Sequence, residues 1–308
     1  MPPRIAVIGS TNVDLVTYVT RPPLPGETLE APDFRIGCGG KGANQAIAAA
    51  RLGAEVVMVS KVGDDAFADL SLDNFRRQGI DTSRVERVAG VSSGVATILV
   101  EPSGENSILI VKGANARVSP ADVDAAADAL ARCDLMLLQL EIPLETVYHA
   151  IDFARAHGIE VVLNPAPAAV LDPEMVRRVT FLAPNQTELA LLTGLPVGSR
   201  DEAVIAARRL VAEGIRTVIV TLGAAGAVVV EADRVFDIAA VTVTPKDTTG
   251  AGDAFIGSFA HFWVTTRDLP GALADAALFA ADSVTKPGAQ SSYASATEFA
   301  ALKAARRG

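Results

Sequence analysis

Continuous apolar runs rich in β-branched residues recur along the chain, separated by longer stretches in which apolar positions return every third or fourth residue. The runs Ile5–Ile8, Val56–Val59, Leu135–Leu140, Val161–Leu163 and Val218–Thr221 read as strands. Most are apolar at consecutive positions, as strands buried on both faces are, and their alternation with helical patterns predicts a parallel sheet covered by helices. Gly42–Leu52, Leu144–His157 and Asp201–Glu213 read as helices, each followed by a glycine (Gly53, Gly158, Gly214) where a left-handed cap is wanted. Along the last of these, Val204, Ala207, Leu210 and Val211 form one stripe, with Arg208, Arg209 and Glu213 off it.

Two stretches break this rhythm. Val13–Ile36 and Gly94–Lys112 are strand-like without intervening helices, and the segment from Pro102 to Asn106 is a turn between two apolar runs. They read either as a small separate β-layer acting as a lid or as plain surface hairpins.

With 308 residues, half of them apolar, the chain can bury one large core, so a single domain is compatible with the length. A net charge of −9 disfavours a nucleic-acid partner, which needs clustered Lys and Arg. The 2 cysteines, Cys38 and Cys133, lie far apart without metal-ligand spacing, which fits a reduced compartment. Met1-Pro-Pro-Arg4 runs into an apolar stretch too short for a signal sequence, and no later stretch is continuously apolar over the roughly 20 residues a membrane crossing takes. A soluble, cytoplasmic protein with no membrane partner is expected. The histidines, His149, His157 and His261, fall outside every motif below.

Candidate chemistry concentrates in Asp247-Thr-Thr-Gly-Ala-Gly-Asp253, followed by the apolar stretch Ala254–Val264. Its glycines let the backbone approach a ligand, and a helix starting there aims free N–H groups and a partial positive charge at an anion. Asp253, in the first turn, is placed to take a proton from an attacking hydroxyl; the same residue is also an ordinary helix cap. Gly37-Cys-Gly-Gly-Lys-Gly42 matches G-x-G-x-x-G but follows only the short Phe34-Arg35-Ile36, so it is not the dinucleotide fingerprint. Nor is it a P-loop, since Lys41 precedes Gly42 rather than Ser or Thr. It offers Lys41 and Asn44 on a compact turn. Gly9-Ser-Thr-Asn-Val-Asp14 stands where the first strand ends, with Asn12 and Asp14 able to hold a diol or simply to form a turn. Glu141 closes another strand. Asn185 and Glu188 open a helix as a capping box would, and Thr221–Gly226 is a glycine turn suited to a nucleotide.

Together and in this order, GGKGANQA (Gly39–Ala46), QLE (Gln139–Glu141), NPAPA (Asn164–Ala168), PNQTE (Pro184–Glu188), DTTGAGD (Asp247–Asp253) and GAQSS (Gly288–Ser292) strongly resemble the ribokinase-like, or PfkB, carbohydrate kinase family. The resemblance spans nearly the whole chain and implies a three-layer αβα sandwich with a mostly parallel central sheet, one kinase domain over residues 1–308, and a β-sheet lid from about 13–36 and 94–112. It implies ATP-dependent phosphorylation of the primary (5-) hydroxyl of a sugar, with D-ribose expected and fructose, a sugar acid or a nucleoside as alternatives; a non-catalytic sugar-binding protein is the reading from another class. Carried over by position, Asn12, Asp14, Gly39, Gly40, Lys41, Gly42, Asn44 and Glu141 hold the sugar, Asp253 is the base, and Gly250, Ala251 and Gly252 form the anion hole. Asn185, Glu188, Thr221, Gly223, Gly226 and Gly252 face ATP and Mg²⁺. Asp247, Thr249, Ser283, Lys286, Gly288 and Ser292 correspond to a site for an activating K⁺. Ala277 stands where many relatives carry a polar residue near the adenine. A homodimer through the lid is implied by the same analogy.

Overall fold

In a computed structural model describing residues 1–102 and 105–306, the strands are β1 Arg4–Ile8, β2 Asn12–Tyr18, β3 Asp33–Gly39, β4 Glu55–Val62, β5 Val85–Arg87, β6 Gly94–Val100 and β7 Asn106–Val111. After these come β8 Leu135–Leu138, β9 Glu160–Leu163, β10 Phe181–Leu182, β11 Thr217–Thr221, β12 Ala227–Val230 and β13 Val235–Ile238. The helices used below are α1 Lys41–Arg51, α2 Ala66–Arg77, α3 Leu144–Ala156, α4 Gln186–Thr193, α5 Arg200–Ala212, α6 Ala251–Thr266 and α7 Leu269–Ser283.

The expected strands are present and join a 9-stranded sheet ordered β13-β12-β11-β10-β9-β8-β1-β4-β5. Its pairings are parallel except at β12, which runs antiparallel to both neighbours. Alternation along β1 explains why its run is continuously apolar. Ile5 and Val7 enter the core under α1, α2, α6 and α7, while Ala6 and Ile8 enter the core under α3 and α5. The result is the expected three-layer sandwich. Gly53, Gly158 and Gly214 all take positive φ just past their helices, as the cap reading required.

The two rhythm-breaking stretches form a second sheet ordered β3-β2-β6-β7. Here β2 and β6 are parallel, while β3 and β7 pair antiparallel to them. Within the expected turn from Pro102 to Asn106, residues 103 and 104 lie outside the described residues. Because β2 starts just beyond the end of β1, the small sheet rises over the carboxyl edge of the large one. At that edge β1 sits between β4 and β8, so the chain leaves it in two directions and opens a crevice where such sheets bind ligands.

Candidate active site

α6 begins at Gly250, whose φ of 74° places it in the left-handed region and whose side-chain position is filled by Ala289 and Tyr293. A Cβ there would lie 2.7 Å from both Ala289 Cβ and Tyr293 Oη, so the turn admits only glycine. Tyr293, buried, donates to the Gly250 carbonyl at 2.9 Å and pins the turn. The first intrahelical bond runs from Ala254 N–H to Gly250 O (2.8 Å), which leaves the Gly252 and Asp253 N–H groups ahead of it without a backbone partner. Ala251 differs from the expectation: its N–H donates to Thr248 O at 3.2 Å.

Asp253 is 6 % exposed and does not cap the helix. Its Oδ2 accepts from Asn44 Nδ2 at 2.9 Å and its Oδ1 from Gln45 Nε2 at 3.0 Å, both donors standing on α1. The cap reading is thereby removed. Asn44 in turn accepts from Gln290 Nε2 at 2.8 Å, so both ends of its amide are engaged.

Across the crevice, Glu141 accepts from Ser10 Oγ and from the Lys41 backbone N–H (3.0 Å), tying the ends of β1 and β8 to the start of α1. Asn12 and Asp14 point to one face of β2, two residues apart. Gly39, opposite Asn12, has no room for a side chain because a Cβ would sit 2.2 Å from Asp14 Oδ2. Gly40 caps α1, and Gly42 packs on the Gly9–Ser10 backbone. Burial, followed by the neighbouring Glu141 and Asp253 charges, pushes the Asp14 carboxyl up to about 7. Lys41 moves upward, chiefly because Asp253 faces it and despite burial, with Glu141 and Glu188 adding to the effect. An ammonium surrounded by acids thus stands at the centre of the crevice.

On the other side of α6 lies a cavity of about 440 Å³, lined by Thr221, Gly223, Gly226, Val241, Val243, Phe255, Ala277 and Gly252 among others. Its mostly apolar wall suits a planar base, and Ala277 contributes to that wall. Thr221 donates its N–H to Pro184 O at 3.0 Å, which sets the glycine turn beside Asn185 and Glu188. Those two make a full capping box on α4, the Glu188 carboxylate accepting from Asn185 N (2.8 Å) and Nδ2 (2.9 Å). Glu188 is buried and its carboxyl is shifted upward, first by that burial.

The residues expected around K⁺ converge on two facing loops. Asp247 accepts from Thr249 N–H (2.9 Å) and Gly288 N–H (2.8 Å) through different oxygens, and Lys286 N–H donates to Ser283 O at 3.1 Å. Burial raises the Asp247 carboxyl, but these hydrogen bonds outweigh it and the net shift is downward. Lys286 Nζ pairs with Asp282 at 2.6 Å and stands 3.4 Å from Ser292 O. Among the described residues no group of three or more His, Cys, Asp or Glu could hold a metal, so a cation here would rest on backbone carbonyls with the single Asp247 carboxylate. The oxygen-rich set fits a weakly held monovalent ion.

Sequence reasoning missed the residues behind these. Gln45, Gln139, Asn164 and Gln290 hold Asp253 and its partners, Tyr293 holds Gly250, and Asn115 donates to Asn12 Oδ1 at 2.7 Å. Several lie inside the quoted motifs, which was the available signal.

A buried carboxylate against unpaired helix-terminal amides, with a polar crevice on one side and an apolar cavity on the other, is the arrangement that suits a small-molecule phosphotransferase of the α/β type. The family model for pfkB carbohydrate kinases matches residues 2–296. A deoxyribokinase from Salmonella typhi is 54 % identical over 96 % of this chain and 97 % of its own length, and a ribokinase from Haemophilus influenzae is 41 % identical over 94 % of each. The Arabidopsis thaliana ribokinase structure complexed with ribose and ATP superposes with a TM-score of 0.93, at 30 % identity, over 98 % of this chain and 99 % of that one. The chain belongs to the pfkB family and is a ribokinase-like sugar kinase.

Proposed function

We propose that the protein transfers the γ-phosphoryl group of ATP to the primary hydroxyl of a pentose, with ribose and 2-deoxyribose as the two candidate acceptors. The observation that carries this reading is Asp253 in the first turn of α6, its carboxylate aimed by two amide donors and set beside unpaired N–H groups. Asp253 takes the proton as the hydroxyl attacks, and the free N–H groups of Gly252 and Asp253 offset charge on the equatorial oxygens. Asn185 and Glu188 would hold Mg²⁺, which would add neutralisation of phosphate charge. Asp247 and the carbonyls facing it would hold K⁺ and steady the Gly250 turn.

Residues 1–308 act as one kinase domain, the small sheet covers the sugar, and its exposed apolar strands pair with a second subunit. Two free cysteines are compatible with a cytoplasmic setting, and no helix among the described residues is long and apolar enough to cross a membrane.

Ribose is favoured by the polar crevice of Asn12, Asp14 and Lys41, whereas the 54 % identity to a deoxyribokinase favours the 2-deoxy sugar. A site that hydrogen-bonds a substrate hydroxyl rejects the analogue lacking it by about 10⁴-fold or more. The test is ATP consumption with ribose, 2-deoxyribose, fructose and a nucleoside. Sugar-dependent turnover dominated by one or both pentoses is expected. ATP hydrolysis independent of added sugar, or a nucleoside preferred over both pentoses, would defeat the proposal.

A further inference from the structure

Behind Asp253 lies a chain of buried amides whose polarity is set at its far end. Asn164 donates Nδ2 to the Ala183 backbone carbonyl at 3.0 Å, and a carbonyl can only accept. Asn164 must therefore turn Oδ1 toward Gln45, which meets it with Nε2 at 3.3 Å. The same Nε2 reaches Asp253 Oδ1 at 3.0 Å, and Gln45 Oε1 takes the remaining bond from Gln139 Nε2 at 2.6 Å. Gln45 and Gln139 are fully buried. Turning over the Gln45 amide would set its one oxygen against the oxygens of Asn164 and Asp253, and its NH₂ against that of Gln139.

We infer that Gln45 is a positioning residue for phosphoryl transfer: held by Asn164, whose own amide is fixed by the Ala183 carbonyl, it donates to Asp253 and so keeps that carboxylate aimed and ready to accept a proton. This inference rests on the assignment of Asp253 as the base. The arrangement separates the two donors on Asp253. Asn44, one of the residues expected to hold the sugar, is engaged by Asp253 and Gln290, while Gln45 is engaged by Asp253, Asn164 and Gln139 at the ends of the sheet strands. The Asp253 charge acts on Lys41 from α1, Asp14 from β2, Glu188 from α4 and Tyr293 from the segment after GAQSS, and Glu141 acts on Asp14 and Lys41. Unlike these, Gln45 carries no charge of its own, so its contribution is the oriented hydrogen bond.

The test is the pH dependence of kcat at saturating sugar, which reports groups in the bound complex and not the free-enzyme titration of Asp14. A hydrogen bond to a buried charged group is worth enough to move its titration by about one to two pH units. In Gln45→Met the acid limb of kcat is expected to move up by that amount and kcat at neutral pH to fall at least tenfold, with the sugar KM within about threefold of the parent. Gln45→Glu keeps the side-chain shape and serves if the Met variant does not fold; a carboxyl sharing a proton with Asp253 moves the limb up at least as far. An acid limb unmoved in either folded variant overturns the inference, whatever the change in melting temperature. If Asp253→Asn retained parental turnover, the assignment of the base would fail instead, and the two failures are thereby distinguishable.

Discussion

The carboxyl edge of the large sheet and the outer strands of the small sheet meet the same crevice and are built in opposite ways. Around Asp253, the side chains of Asn44, Gln45, Gln139 and Asn164 are buried and joined in one hydrogen-bonded system. On β3 and β7, by contrast, Ile36 is 53 % and Leu109 74 % exposed, and β7 is exposed at every residue. Apart from Gln139 Oε1, which has no partner among the described residues, the hydrogen-bonded system is satisfied, and a satisfied polar network in a core rigidifies it. An apolar strand with a free edge has no internal partner and is left to be covered. Rigidity is thus concentrated around Asp253, the base proposed above, and exposed apolar surface on the strands proposed to pair with a second subunit.

Breaking the rigid side has the larger consequences. Apart from Asp253 itself, Gly250→Ala is expected to do most, because it combines a positive φ with overlap on Ala289 and Tyr293. Turnover should fall about 10²-fold or more, the scale of losing an oxyanion-type donor, while sugar binding measured by calorimetry changes little.

Asp14 sharpens the comparison through pH. Its carboxyl stays protonated in the folded protein up to about 7, whereas the unfolded chain releases that proton near the ordinary value of 3.8. The native state therefore binds the extra proton, and stability falls as pH rises through this window. Asp14→Asn removes the effect: thermal melts should show the variant gaining on the parent between about pH 4 and 7, by up to a few kcal/mol. A constant difference across that range would contradict the burial argument.

Tyr293→Phe deletes one buried hydrogen bond to the Gly250 carbonyl and is expected to lower stability by about 1–2 kcal/mol, with a several-fold loss of kcat. On the adhesive side, Leu109→Lys with Ile36→Lys should convert a dimer to monomers by analytical ultracentrifugation. The subunit's own stability should stay within about 0.5 kcal/mol, since both side chains are already exposed.

The sheet was legible because its central strands are apolar on consecutive residues, and α1, α3 and α5 because glycines mark their ends. The β12–β13 hairpin and α7 were not singled out. Helix α7 is apolar nearly all round, with little of the one-sided pattern that identifies a surface helix. Within the site, Asp253 was legible only as one of two alternatives, cap or base. The structure removes the cap reading, and the carboxylate instead meets Asn44 and Gln45, which are 209 and 208 positions away in the chain and reach it only after folding. Glu188 shows the converse, since the capping box that was its plainer reading is present in full.

Asp253→Asn, assayed side by side for sugar affinity and for turnover, tests the central claim most directly. The account predicts sugar affinity within a few-fold of the parent and turnover lowered by about 10²–10⁴-fold, the range general-base removal spans. Turnover near the parental value in the folded variant would contradict it.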